Sequence, residues 1–320
     1  MSIPSVTVIV PGRDVGAFAD EALASLRAQT FTDWRAILVD DASVDATSAI
    51  FAKAERDDPR ISLIRHDVAR GLGAGRNIAL DRVETPFVGF LDADDVMMPT
   101  ALDTLVGSLA ESGSEIAVGA YVRLTPDVAG GYSPGVIQPW VSAATDPARQ
   151  GVSLEQHPAV SGNIVAWSKV SRTELWRRAG LRFTEERAYE DQVVAQRLYS
   201  AARGIDVVPD IVVHWRERAD GTSITQRRHR VDVLQDYLDG MRGGLAVLDE
   251  GQHRSAARAR IGLMLDMDTP ALVRVAEHHP DDEYRRLLGA FVRELSARAG
   301  DEGVTLDAGS APLLEAARAW

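Results

Sequence analysis

The sequence predicts an α/β fold: a doubly wound, mostly parallel central sheet flanked by helices, with a C-terminal helical extension. Three observations lead there. Short β-branched runs alternate with amphipathic stretches over about the first 95 residues, acidic or glycine-rich turns follow several of the runs, and apolar residues recur at helical spacing from Val231 onward.

Val6 to Val10 is a β-branched run closed by Pro11-Gly12, the pattern of a strand buried on both faces. Ala19, Leu23 and Leu26 recur at helical spacing, and Trp34 to Val39 reads as a second strand running into Asp40-Asp41. A helix over Thr47 to Ala54, a strand Ile61 to Arg65, a helix from Ala74 to Val83 and an apolar strand Phe87 to Leu91 continue the alternation. Between Gly113 and Pro158 the pattern loosens into short strands and Gly/Pro/Ser-rich turns, where ligand contacts concentrate. Ser168 to Gly180 and Glu190 to Ala202 read as helices. Asp206 to Trp215 reads as a strand leading into a polar loop, Arg216 to Thr225, expected to act as a lid. Leu234, Leu238, Met241 and Leu245 then form a core-facing helical stripe. The expected portions are 1–100, 101–230 and a helical 231–320.

Composition narrows the function. The chain has 320 residues, 45% hydrophobic and 26% charged, which fits a folded globular protein and excludes a disordered or collagen-like one. A net charge of −12 argues against a duplex-binding surface, so no nucleic-acid partner is expected. The absence of cysteine excludes disulfides and thiolate chemistry and suits a reducing cytoplasm. Met1 to Pro11 lacks a basic segment with a cleavage site, and no 18 apolar residues run uninterrupted, so neither a signal peptide nor a membrane span is expected. Residues 231–320 carry 10 Arg, no Lys and 16 acidic residues. A net-negative tail is a poor match for an anionic membrane and fits packing or a homodimer better.

Four constellations could carry chemistry. Phe90-Leu91-Asp92-Ala93-Asp94-Asp95 packs three carboxylates into four positions after an apolar strand. Ligands of open α/β sheets bind at the carboxyl ends of strands, and oxygen clusters there suit Mg²⁺ or Mn²⁺ held by one or two carboxylates plus substrate phosphates. A lone DxD is more often a solvated turn that caps a helix. Val39-Asp40-Asp41-Ala42-Ser43-Val44-Asp45 ends another strand; its aspartates can accept from a base N–H or a ribose hydroxyl, while Ser43 and Asp45 could cap the next helix. Arg70-Gly71-Leu72-Gly73-Ala74-Gly75-Arg76-Asn77 opens a helix with backbone N–H groups and arginines available to a pyrophosphate. It is not a dinucleotide fingerprint, because the first turn is Pro11-Gly12-Arg13-Asp14 and the last glycine is replaced by Arg76. Tyr189-Glu190-Asp191-Gln192 opens a helix far downstream, where acidic residues usually complement the helix dipole. If Asp191 faces the same crevice as Asp94, it can take a proton from an attacking hydroxyl. His214, at a strand end, is read as structural or as a completing metal ligand. Trp140 and Trp167 could stack on a sugar or fill the core.

In order, VTVIVPGRDVGAFADEALASLRAQTFTDWRAILVDDASVDAT, GLGAGRNIAL, FVGFLDADD and YEDQ resemble the family 2 glycosyltransferases with the nucleotide-sugar-binding GT-A fold. The resemblance covers about residues 5–225. It implies an inverting, metal-dependent transfer of a single sugar from a nucleoside-diphosphate donor to a sugar, a lipid-linked sugar or another hydroxyl acceptor, in surface polysaccharide or glycoconjugate assembly. It assigns Asp40 and Asp41 to the nucleoside, Asp92 and Asp94 to the ribose and to Mn²⁺ or Mg²⁺, and Asp191 to the general base; around these, Pro11, Arg13, Asp14, Gly71, Arg76, Ala93 and Glu190 are expected to line the donor site and His214 to complete the metal site. Residues 1–100 would then be the nucleotide-sugar half and 101–230 the acceptor half. Arg13-Asp14 stands where the family commonly has an aromatic-Asn pair and Ala42 where it commonly has Gly, while the QxxRW block of processive synthases is missing. Two other classes compete. A sugar-nucleotide pyrophosphorylase should have a G-x-G-x-R turn after its first strand, which Pro11 to Asp14 does not provide. A non-catalytic nucleotide-binding or scaffolding module would be expected to lose an acidic block, and all three are present.

Overall fold

The structure, a computed structural model, describes residues 5–221 and 223–320. The leader reading at Met1 to Pro4 and Thr222 of the polar loop lie outside the described residues. Strands and helices alternate as β1 (Val6–Gly12), α1 (Ala19–Arg27), β2 (Trp34–Asp40), α2 (Thr47–Asp57), β3 (Ile61–Arg65), α3 (Leu72–Leu80) and β4 (Phe87–Phe90). β5 (Val96–Met97), α4 (Ala101–Ser112), β6 (Ile116–Pro126), β7 (Tyr132–Pro134), α5 (Pro139–Thr145) and β8 (Arg149–Val152) follow. The chain continues through β9 (Lys169–Arg172), α6 (Thr173–Arg178), α7 (Asp191–Ala201) and β10 (Ile205–Arg216). The remainder is helical: α8 (Val231–Glu250), α9 (Arg254–Leu263), α10 (Thr269–Ala276), α11 (Asp282–Asp301) and α12 (Ala311–Arg318).

The sheet runs β3-β2-β1-β4-β9-β6-β10-β5, with β7 on β6 and β8 on β10. β3, β2, β1 and β4 are mutually parallel, as is β6 with β10, whereas β9 lies antiparallel between β4 and β6. Every residue of β1 is buried, as a parallel strand covered on both faces requires. In register, Gly12 pairs with Asp40, and the Ala93 amide donates to Pro11 O at 3.3 Å. The turns after β1, β2 and β4 therefore leave the sheet at one edge.

Two apolar cores form. One fills the space between the sheet and its helices, and the other lies within α8 to α12. The stripe Leu234, Leu238, Met241 and Leu245 is buried inside that second core, so it packs within the chain.

Three sequence expectations are corrected. Ser168 to Gly180 is not one helix: Lys169–Arg172 is a sheet strand and only Thr173–Arg178 is helical. The pairing of Val170 with both Gly89 and Ala117 overrides a local pattern that Leu175 and Trp176 dominate. The loosened stretch after Gly113 instead begins with an eleven-residue strand, β6, whose first seven residues are all buried. The predicted lid also starts later than expected, since Arg216 is the buried last residue of β10. No helix among the described residues is long and apolar enough to cross a membrane.

Candidate active site

At the end of β2, Asp41 is buried and accepts three hydrogen bonds: from His66 Nδ1 at 2.8 Å, the Arg70 amide at 2.8 Å and the Gly71 amide at 2.9 Å. Burial pushes its carboxyl up, but these donors outweigh it and hold the group below the ordinary aspartate range. Gly71 has a φ of +87°, which lets the chain turn its amide onto Asp41 before α3 begins. Asp40 is also buried and accepts from the Ser43 amide at 3.0 Å.

The β4 turn holds the largest concentration of charge. Arg76 of α3 is fully buried, and its guanidinium pairs with Asp92 at 2.6 Å and with Glu190. Burial opposes its positive charge, yet Asp92, Glu190 and Asp191 around it more than restore that charge. One arginine thus ties the turn after β4 to the head of α7. Arg76 was expected to be open to a pyrophosphate; it is instead committed to protein carboxylates.

Asp191 is the first residue of α7 and half-buried. Burial and the neighbouring Glu190 charge push its carboxyl up to about 7, against the opposing pull of Arg76 and Lys169. Lys169, on β9, lines the same apolar cavity as Asp191, together with Phe90, Val165 and Phe183. Its Nζ donates to Asn163 Oδ1 at 2.9 Å and to Val165 O. Burial pulls the amine down to about 7, with Asp191 resisting and Arg76 assisting. A carboxylate near neutrality beside a strand-end acidic cluster is the equipment of a general base.

On the opposite flank, Arg218 Nε meets Asp94 Oδ2 at 2.8 Å. Arg216 donates through its amide to Asp95 Oδ1 at 2.8 Å, through Nε to Asp94 O at 2.7 Å and through its guanidinium to Glu21 at 2.6 Å. Burial raises the Asp94 and Asp95 carboxyls, and neighbouring acids add to it. Asp95 Oδ2 is buried without a hydrogen-bond partner. These hard oxygen donors fit Mg²⁺ or Mn²⁺ in the mode that takes one or two carboxylates plus phosphates. A cage built from protein alone is not present, because no three His, Cys, Asp or Glu side chains converge among the described residues. His214 lies on β10 in register with Val96, just past the acidic turn, and burial lowers its imidazole pKa.

Several predicted residues serve the scaffold. Asp14 Oδ1 accepts the Val44 amide at 2.8 Å and its own amide donates to Ser43 Oγ, so it pins the β1 turn to the β2 turn. Arg13 is exposed and lies 3.7 Å from Asp14. Asp45 accepts from the Thr47 amide at 2.9 Å and from Gly16 at 2.7 Å, while Ser43 is taken by Asp14. Pro11 and Ala93 are buried where β1 and the β4 turn meet. Trp167 is buried, 4.8 Å from Tyr121 and stacked on Trp215 at 6.4 Å, and so belongs to the core; Trp140 is partly buried against the same core. Sequence reasoning missed His66, Lys169, Arg216 and Arg218. A lysine inside the apolar stretch Val165 to Val170 was a signal, since buried lysines need partners.

Gly73 marks how tightly α3 meets the segment before α7. A Cβ there would run into the Thr184 carbonyl, a backbone atom. Gly73→Ala is expected to cost about 1–3 kcal/mol in urea denaturation. A neutral result would mean that the two segments separate freely.

Residues 7–134 match the family described as Glycosyl transferase family 2. The chain is 28% identical over 235 residues to the glycosyltransferase GlyA of Streptococcus pneumoniae, covering 73% of this chain and 33% of that protein. It is 31% identical over 115 residues to the GalNAc(5)-diNAcBac-PP-undecaprenol beta-1,3-glucosyltransferase of Campylobacter jejuni, covering 36% of this chain and 37% of that one. The chain thus spans about a third of either relative's length. In structure it resembles S. aureus TarS 1-349 in complex with UDP-GlcNAc, with a TM-score of 0.76 at 22% identity over 98% of this chain and 87% of that one. The matched residues run from β1 to β7 and contain both acidic strand-end turns, so it is residues 7–134 that carry the likeness to the family 2 glycosyltransferases, while the chain as a whole shares the fold of TarS.

Proposed function

We propose that the protein transfers one sugar from a nucleoside-diphosphate donor to a hydroxyl acceptor with inversion at the anomeric carbon, in polysaccharide or glycoconjugate assembly. The observation that carries this reading is Asp191: a carboxyl pushed up to about 7 at the head of α7, joined to the β4 turn through Arg76. Residues 1–100 would bind the donor and 101–230 the acceptor. The lipid-linked acceptor named for the Campylobacter relative makes a polyprenyl-diphosphate sugar the first acceptor class to test.

In the proposed step, Asp191 accepts the proton of the acceptor hydroxyl as its oxygen attacks the anomeric carbon, and the bond to the diphosphate oxygen breaks on the far side. Asp41, fixed by His66, Arg70 and Gly71, receives the nucleoside, with Asp40, Pro11, Arg13 and Asp14 around it. Asp92 and Ala93 meet the ribose and diphosphate. Arg76 and Glu190 act from behind, Arg76 holding Asp92 and Glu190 in place. Mn²⁺ or Mg²⁺ held at Asp94, with His214 as a nitrogen donor, would neutralise charge developing on the departing diphosphate. Arg218 now occupies Asp94 Oδ2, so this ion pair must open for that carboxylate to ligate.

Thermal-shift measurements with UDP-, GDP- and dTDP-sugars, each with and without Mn²⁺, test the reading. A shift confined to one nucleotide class, followed by product formation, supports it; no shift with any donor removes it. Asp94→Asn is expected to weaken Mn²⁺-dependent UDP binding roughly tenfold or more by calorimetry, leaving metal-free binding unchanged. Equal affinities with and without Mn²⁺ in both proteins would reject Asp94 as the ligand.

A further inference from the structure

The turn that leads into α7 is held from outside the family-matched residues. Glu186 and Tyr189 have φ values of +59° and +58°. Non-glycine residues rarely adopt this region and keep it only where the surroundings over-determine them. Around Arg187 to Tyr189 the surroundings are α8. Asp236 accepts the Ala188 amide at 2.9 Å and Arg187 at 3.1 Å, and Asp239 accepts Arg187 at 3.1 Å. The Tyr237 ring centre lies 4.2 Å from that of Tyr189. A Cβ at Gly240 would lie 3.2 Å from the Gln192 side chain and 3.6 Å from Tyr189 O.

A second line of contacts reaches the other side of the acidic pair. Tyr237 donates to Asp268 at 2.8 Å, Asp268 pairs with Arg260 at 3.3 Å, and Arg260 donates to Gln192 Oε1 at 3.2 Å. All four side chains are buried. Glu190 and Asp191 are therefore gripped before and after by the helical extension.

We infer that the extension is a positioning device for Glu190 and Asp191: Asp236 holds the Ala188 amide and the Arg187 side chain, Tyr237 packs against the Tyr189 ring, and Arg260 holds the first turn of α7 through Gln192. A base must sit within hydrogen-bond reach of the proton it takes, and a displacement of about 1 Å can cost on the order of 10²-fold in rate. The residues of α8 touch neither donor nor acceptor in this scheme; they act through Asp191. The kinetic arm of the test rests on the proposed transferase reading, and the backbone arm does not.

The test compares the wild-type chain with Asp236→Ala and Asp236→Asn. The Asp236 side chain is 24% exposed and outside the apolar core, so both variants are expected to fold. In Asp236→Ala, amide hydrogen exchange across 186–192 should accelerate, led by Ala188, while exchange in β1 and β4 stays unchanged. With the donor found by thermal shift, kcat should fall about tenfold with donor KM within twofold. Asp236→Asn, which keeps an acceptor for the Ala188 amide, should recover most of both. Tyr237→Phe keeps the ring against Tyr189 and loses only the hydroxyl on Asp268, and should show a smaller change in Gln192 exchange. Unchanged exchange across 186–192 in Asp236→Ala overturns the inference, as does a rise in donor KM with kcat intact. If the wild-type chain transfers no sugar, the proposed activity fails, and the exchange result still decides the bracing.

Discussion

Asp191→Asn is expected to lower kcat by about 10²–10⁴-fold while leaving UDP affinity unchanged, the loss typical of removing a general base. Asparagine keeps the shape and cannot take a proton. Because the Asp191 carboxyl is pushed up to about 7, wild-type kcat should rise with pH through that value as the base ionises, and the acidic limb should disappear in the variant. Steady-state kinetics from pH 5.5 to pH 8.5 check both statements. Turnover within a few-fold of wild type would remove Asp191 from the chemistry.

The same shift has a stability consequence of opposite sign. A carboxyl raised in the folded state from 3.8 to about 7 contributes stability that is fully present below the unfolded value and is lost as pH climbs through the folded one. Between those values the folded protein keeps the proton that the unfolded chain gives up. Asp191→Asn is never ionised, so its melting temperature should overtake that of wild type as pH passes 7. Activity and stability then move apart at one residue, as at a site where a charge is kept at the expense of the fold.

What the sequence reveals of this fold depends on how local the cause is. β1, β2 and β4 are legible because strands covered on both faces read as near-continuous apolar runs: Val6 to Val10 is β-branched at every position, with Thr7 its one hydroxyl, and Phe87 to Leu91 is apolar. β9 is not legible. Its four residues, Lys-Val-Ser-Arg, owe their extended form to Gly89 on one side and Ala117 on the other, far away in sequence. The acidic turns stand out as unusual clusters of charge after apolar runs. Their partners do not, because Arg76 to Glu190 and Arg218 to Asp94 are pairings 114 and 124 residues apart. Asp14 shows the converse: its place in the first turn suggested a ligand contact, and its side chain is taken by the backbone of Val44.

Arg76→Met should produce the largest loss of stability of any substitution in the cluster. The side chain is buried, and the methionine would leave Asp92, Glu190 and Asp191 facing one another without the cation that now stands between them. Removing one partner of a buried ion pair costs about 3–5 kcal/mol, chiefly because the remaining charge stays buried. The loss should depend on pH. Without Arg76 the carboxyls hold their protons to higher pH, so the deficit against wild type is smallest near pH 5 and grows toward pH 8. Arg76→Lys restores the charge at one nitrogen and not the two-pronged grip on Asp92 and Glu190, and should fall between the two. Glu190→Gln added to Arg76→Met should recover part of the deficit, since it removes the most buried of the orphaned charges. Urea denaturation at pH 5 and pH 8 measures each of these. A deficit below about 1 kcal/mol, or one that does not change with pH, would mean that Arg76 is not the charge that joins the β4 turn to α7.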